Sequence, residues 1–189
     1  MFKMAKGHKL NRQRVVAAAE DYVDAHGIKA LTLPHLAKEL GVRSQSLYNY
    51  VANREDLLSL VGAHMITEMR QAATDHIIGL SGRKALFTLA DFIRDYMRQR
   101  PVMREIIMRL HEYPDQSPME QAVKQFVDLV ERIRVQSGSP DFPSAHIYLG
   151  AVLGYIFFDS ADLFAGDSDH KSQADYHDML NRLFPYPNK

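Results

Sequence analysis

Apolar residues recur at three- and four-residue intervals along nearly the whole chain, and no segment alternates as a half-buried strand does. Val15, Val16, Ala18, Ala19, Tyr22 and Val23 set out a first helical stripe, with Gly27 as its stop. Thr32 is placed to cap a short helix with Pro34 in its first turn, carrying Leu36, Ala37 and Leu40 and ending at Gly41. Ser44 is placed to cap a third helix with Leu47, Tyr48 and Val51. Asn53 is placed to cap a long fourth that runs to about Leu80, with Glu55 and Asp56 at its positive end. Ser81-Gly82 breaks the chain before a stripe from Leu86 to Met97, and Pro101 opens the next helix. Beyond the loop His111–Pro118 comes a helix carrying Ala122 to Ile133. An apolar helix is expected over about Ser144–Phe164, then an amphipathic piece with Tyr176, Met179, Leu180 and Leu183. The pattern predicts an all-α fold of about nine helices, with a frayed PYPN end.

Charge divides the chain that periodicity leaves uniform. The 189 residues carry 23 Lys+Arg and 23 Asp+Glu, so the formal charge is zero. Residues 1–54 hold nine basic side chains against four acidic ones, +5, and the remainder is −5. A basic head of this kind suits an anionic partner, and the acidic remainder does not. Cysteine is absent, which excludes a disulfide scaffold, a Cys-based zinc module and a cysteine nucleophile. The basic start lacks a following apolar region, and Ala145–Phe158 falls short of the ~20 residues of a spanning helix. These features predict a cytoplasmic protein with no membrane partner.

The head contains the most informative stretch, LTLPHLAKELGVRSQSLYNYV at residues 31–51. Two short helices meet at Gly41-Val42; small Ala37 allows a close crossing, and Val42 and Leu47 plug the space between them. Arg43, Ser44, Gln45, Ser46, Asn49 and Tyr50 are left on the outer face as hydrogen-bonding groups of major-groove reach. With Val15–Ala19, Gly27, Leu31-Thr32, Tyr48, Val51 and Arg54-Glu55 before Leu57-Leu58, the segment over about residues 11–60 resembles the TetR family of transcriptional regulators.

The resemblance implies an all-helical homodimer that binds a palindromic double-stranded DNA operator, usually as a repressor released by a small molecule. It implies domains 1–54 for DNA binding and 55–189 for ligand binding and dimerisation. By position, Thr32 and Tyr48 would donate to phosphate, and Arg43, Ser44, Gln45, Ser46 and Asn49 would approach base edges or nearby backbone. Tyr50 and Arg54 would also meet phosphate, with Lys6, Lys9 and Arg12 as a basic arm. Two positions depart from the family: Pro34 replaces a common polar residue, and Arg43 stands where Ser is usual.

The body carries only residue-type signals. Met65, Met69, Tyr96, Met97, Met103, Met108, Phe126, Tyr155 and Phe158 are candidate pocket walls, with His64, His111, Tyr113 and Asp159 as polar anchors. Asp159 can bind a cationic ligand, pair with an arginine, or mark an exposed edge. The same methionines and aromatics also suit plain core. Gly150 and Gly154 share a face of an all-round apolar helix; with Val127, Val130 and Phe157 they form the candidate dimer surface, over about Glu120–Gln136 and Ser144–Phe164. No phosphate loop, nucleophile elbow or His-Glu-x-x-His motif appears, so neither an enzyme nor a cofactor is expected. The late acids, including Asp162, Asp167 and Asp169 with His170 and His177, match no standard metal spacing; 167–170 reads as an exposed loop.

Overall fold

The computed structural model describes residues 10–138, 142–160 and 169–185. Among these are nine α-helices and no strand: α1 (Arg12–His26), α2 (Leu33–Leu40), α3 (Ser44–Leu47), α4 (Arg54–Ile77), α5 (Gly82–Gln99), α6 (Pro101–Met108), α7 (Pro118–Gln136), α8 (Ala145–Ser160) and α9 (Asp169–Leu183). Short 3-10 turns occupy Ile28–Ala30 and Leu110–Glu112. Lys6, Lys9, Asp162, Asp167 and residues 186–188 of the PYPN end lie outside the described residues. Asp169 belongs to α9 rather than to a preceding loop.

The helix ends follow local chemistry. Asn11 Oδ1 accepts from Arg14 N at 2.9 Å and caps α1. Asn53 Oδ1 accepts from Asp56 N at 2.8 Å at the start of α4, as expected. Pro101 opens α6 with Arg100 at the cap position. The fourth helix ends at Ile77, short of Leu80, because Gly79 turns the chain at φ 77°.

The chain divides into two units. The first runs through Ile66 and takes in Arg100–Val123. In it the N-terminal part of α4 meets α6 and the start of α7 without clearance. A Cβ at Gly62 would lie 2.6 Å from Met119 Sδ and 2.7 Å from Ile106 Cγ2. One turn earlier, buried Ser59 Oγ accepts from Met119 N at 3.2 Å, satisfying a helix-start donor of α7 from a neighbouring helix.

The second unit takes in Thr67–Gln99 and the chain from Lys124 onward. Its frame is α5, whose carbonyls receive two buried phenols: Tyr148 of α8 donates to Leu86 O at 2.9 Å, and Tyr176 of α9 donates to Ala90 O at 2.8 Å. Burial raises both phenol pKa values, so both stay protonated donors. Phe184 closes this core against Phe87, Phe142 and Tyr148. It is fully buried although it follows the last helix directly.

Glu131 of α7 joins the start of α8 to this frame. It pairs with Arg134 and accepts from Ala145 N at 3.2 Å. Arg134, then the Ala145 N–H, hold its carboxyl below the ordinary value. A depressed carboxyl stabilises the fold above its unfolded pKa, and that contribution is lost as pH falls through the folded one. Glu131→Gln should therefore lower the neutral plateau of a melting-temperature profile and flatten its acid limb, with little change at the acid end.

Candidate nucleic-acid interface

The N-terminal corner forms as a sequence of satisfied backbone groups. Thr32 is extended, at φ −133° and ψ 154°, and its Oγ1 accepts from His35 N at 3.2 Å. Gly41 adopts φ 65° and ψ 30°, a left-handed conformation that suits glycine, and bonds back to Ala37 and Lys38 carbonyls. The turn sends α3 across α2, and Leu47 is fully buried there, as Leu36 and Ala37 are on α2.

The third helix is shorter than the apolar pattern predicts. Regular α geometry covers Ser44–Leu47; Tyr50 N and Val51 N then both bond to Leu47 O, at 2.9 and 3.1 Å. Ser44 does not cap it. Arg43 occupies the cap position, without a side-chain bond, and Ser44 is the first helical residue.

Arg43, Gln45, Tyr48 and Asn49 are exposed, Tyr48 by 52% despite its aromatic ring. Ser44 and Ser46 are half-buried beside them, and Arg12 is exposed at the start of α1. Two other expected contact residues have internal work. Tyr50 donates its hydroxyl to Leu10 O at 2.8 Å and fixes the approach to α1. Arg54 donates from Nε to Leu31 O at 2.7 Å and from Nη2 to Ile28 O at 2.8 Å. Its guanidinium fastens the start of α4 to the turn ahead of α2, with Nη1 3.6 Å from Glu55.

Sequence reasoning passed over a second fastening. Glu20 lies inside α1, one turn from Val16 on the buried stripe. Its Oε2 meets His64 Nδ1 of α4 at 2.7 Å, and its Oε1 accepts from Arg100 Nη2 at 2.6 Å. Arg100 also holds Asp24 at 2.5 Å. An acid at a stripe position was the available signal.

Residues 15–61 match the family model for bacterial regulatory proteins of the tetR family. The head of the chain therefore carries that family's regulatory domain. Over 183 residues it is 25% identical to the uncharacterised HTH-type transcriptional regulator Rv0681 of Mycobacterium tuberculosis, covering 95% of this chain and 83% of that one. Over 52 residues it is 42% identical to the HTH-type transcriptional repressor DrrR1 of Streptomyces coeruleorubidus, covering 28% of this chain and 19% of that one. Its fold matches that of BioQ crystallised with its double-stranded DNA operator, at a TM-score of 0.60 and 21% identity, over 94% of this chain and 100% of that one. The protein is a DNA-binding transcriptional regulator with a TetR-type head.

The candidate sensor residues are divided between the two units. Met65 and Met103 are buried in the first unit, while Met108 and His111 are exposed there. Met69, Met97 and Phe126 are buried in the second, Tyr96 and Tyr155 are half-buried, and Phe158 is exposed. Burial raises the Tyr113 phenol pKa. Of the three readings for Asp159, arginine pairing is the one observed: Arg94 Nη2 lies 3.4 Å away, and Ser172 donates to Asp159 Oδ1 at 2.6 Å.

Among the candidate interface residues, Val130 is fully buried within its own chain and has no surface to offer a partner. Val127 and Phe157 are half-buried. Gly150 and Gly154 open onto free space: a methyl group at either position would have nothing within 4 Å. No helix among the described residues is long and apolar enough to cross a membrane.

Arg54→Ala should lower stability by about 2 kcal/mol, since it leaves two carbonyl partners without their charged donor. Tyr48→Phe should leave stability unchanged. Urea unfolding of both variants checks the contrast.

Proposed function

We propose that the protein represses transcription as a homodimer on a palindromic operator and leaves DNA when a small molecule binds its body. The supporting observation for the DNA face is the exposed set Arg43, Gln45, Tyr48 and Asn49 around sealed Leu47. A short helix backed by a rigid core can present these groups to base edges, while Thr32 and Tyr48 hydroxyls donate to phosphate. Arg12 adds positive charge from the start of α1, and Lys6 and Lys9 extend the basic arm. Tyr50 and Arg54 contribute by holding the head together, with any phosphate contact secondary to those bonds. Residues 1–54 supply the reading and 55–189 the sensing and pairing, and the protein works in the cytoplasm.

A second copy is the proposed partner of one face of α8. Ile147 is 56% exposed and Phe158 54%, and Gly150 and Gly154 lie between them along the helix. Open glycines flanked by apolar side chains let another helix approach closely and bury that surface. The two heads of such a dimer would read half-sites about one helical turn apart. Arg54 ties α4 to the head, so a change in the angle of α4 changes the head spacing. The effector must bind the two arrangements unequally to shift them.

Genomic fragments retained by the protein supply the test DNA. Tyr48→Phe and Arg43→Ala should each weaken binding about tenfold at fixed salt, on the scale of a lost charge-assisted or base contact. Full affinity in both variants would remove the assigned DNA face. Ile147→Glu with Phe158→Glu should yield a monomer by sedimentation; a persistent dimer would place the interface elsewhere.

A further inference from the structure

We infer that the groove between the C-terminal halves of α4 and α7 is a binding site for a monoanionic amphiphile, a molecule with one carboxylate-like head and an apolar body. Two adjoining clefts of about 740 and 400 Å³ share Arg70, Arg132 and Gln136. Their volumes fall within the range of small-molecule sites. All their lining residues belong to the second unit.

The head end is marked by an unsatisfied group. Arg70 Nε is buried and has no hydrogen-bond partner among the described residues. A buried guanidinium N–H without an acceptor is costly, and the rest of the Arg70 side chain lines the cleft, where an anion pairing with the guanidinium would offset that cost. Arg132 lines the same space, and its Nε donates to its own helix at Asp128 O over 3.3 Å.

Charge selects one negative charge over two. Four ionic side chains line the larger cleft: Arg70, Arg132, Asp128 and Glu131. Both Glu131 oxygens are already engaged by Arg134, and one also accepts from Ala145 N. Glu131 is therefore neutralised from outside the groove, which leaves two cations against Asp128. The balance is close to +1.

The body end is apolar. Ile77, Leu129 and Ile133 form the wall of the smaller cleft, and Ile78 stands exposed at its edge. On α7 the lining runs from Gln125 to Gln136, a rise of about 16 Å at 1.5 Å per residue. That length suits an extended chain or a pair of rings with its charge at Arg70. Naming the occupant an effector rests on the regulatory reading above; the site and its chemistry do not.

Calorimetric titration of the full chain without DNA tests the inference, using octanoate as probe with octanol and octyltrimethylammonium for comparison. Octanoate should bind one site per chain, at least tenfold more tightly than octanol, and the cation should not bind. Arg70→Gln should weaken octanoate at least tenfold, and Asp128→Asn should tighten it severalfold. Arg182→Gln, exposed on α9, should change nothing. Equal binding of octanoate and octanol, octanoate binding indifferent to Arg70→Gln, or no binding at millimolar concentration would each overturn the site. Because no DNA is present, such a result leaves the operator experiment to stand or fall separately.

Discussion

Glu20 is a carboxylate inside a helix interface, and the first unit is arranged around keeping it paired. Desolvating a charge costs several kcal/mol unless partners compensate. Its compensation comes from two directions, His64 on α4 and Arg100 ahead of α6. Neither contact is local in sequence, so α1 can satisfy its acid only when both segments are in place. Arg54 acts in the same sense from the other end of the head, spanning Ile28 and Leu31 carbonyls. The reading surface itself makes few internal bonds and takes its position from these anchors behind it.

The second unit uses polar groups for register in a comparable way. Apolar burial alone would let α8 and α9 slide on α5, because dispersion contacts are not directional. Tyr148 and Tyr176 address carbonyls one helical turn apart, and Arg94 reaches Asp159 and Ser172 from the same helix. Each bond is worth only about 1 kcal/mol net. A shifted register would strand several buried groups together, which is where specificity arises.

Helices, turns and the DNA-reading corner were legible because each has a local cause. Asn53, Gly41 and Pro101 act within a few residues of themselves, and the apolar stripe at Leu36, Ala37, Leu40 and Leu47 implies its own crossing. The charged fasteners were not legible in the same way, since their partners lie far off in sequence. Glu20 and Arg94 both occupy stripe positions, a visible anomaly whose resolution needs the tertiary contact. Arg54 matched a family position and was read outward, yet its nearest acceptors are backbone carbonyls that no side-chain pattern announces. Val130 looked like available interface because periodicity marks an apolar face without saying whether the same chain or another covers it. Phe184 lay past the last regular turn, where only the aromatic cluster around it shows that it belongs to the core.

Gly62 limits how α4 can move. With Met119 and Ile106 already within contact of its bare backbone, rolling α4 about its own axis would sweep the side chain of Val61 or Ala63 into occupied space. Tilting about that point displaces the atoms at the crossing least. Gly62 therefore works as a fulcrum: it forbids axial rotation at one level of the helix and leaves lever motion as the permitted displacement.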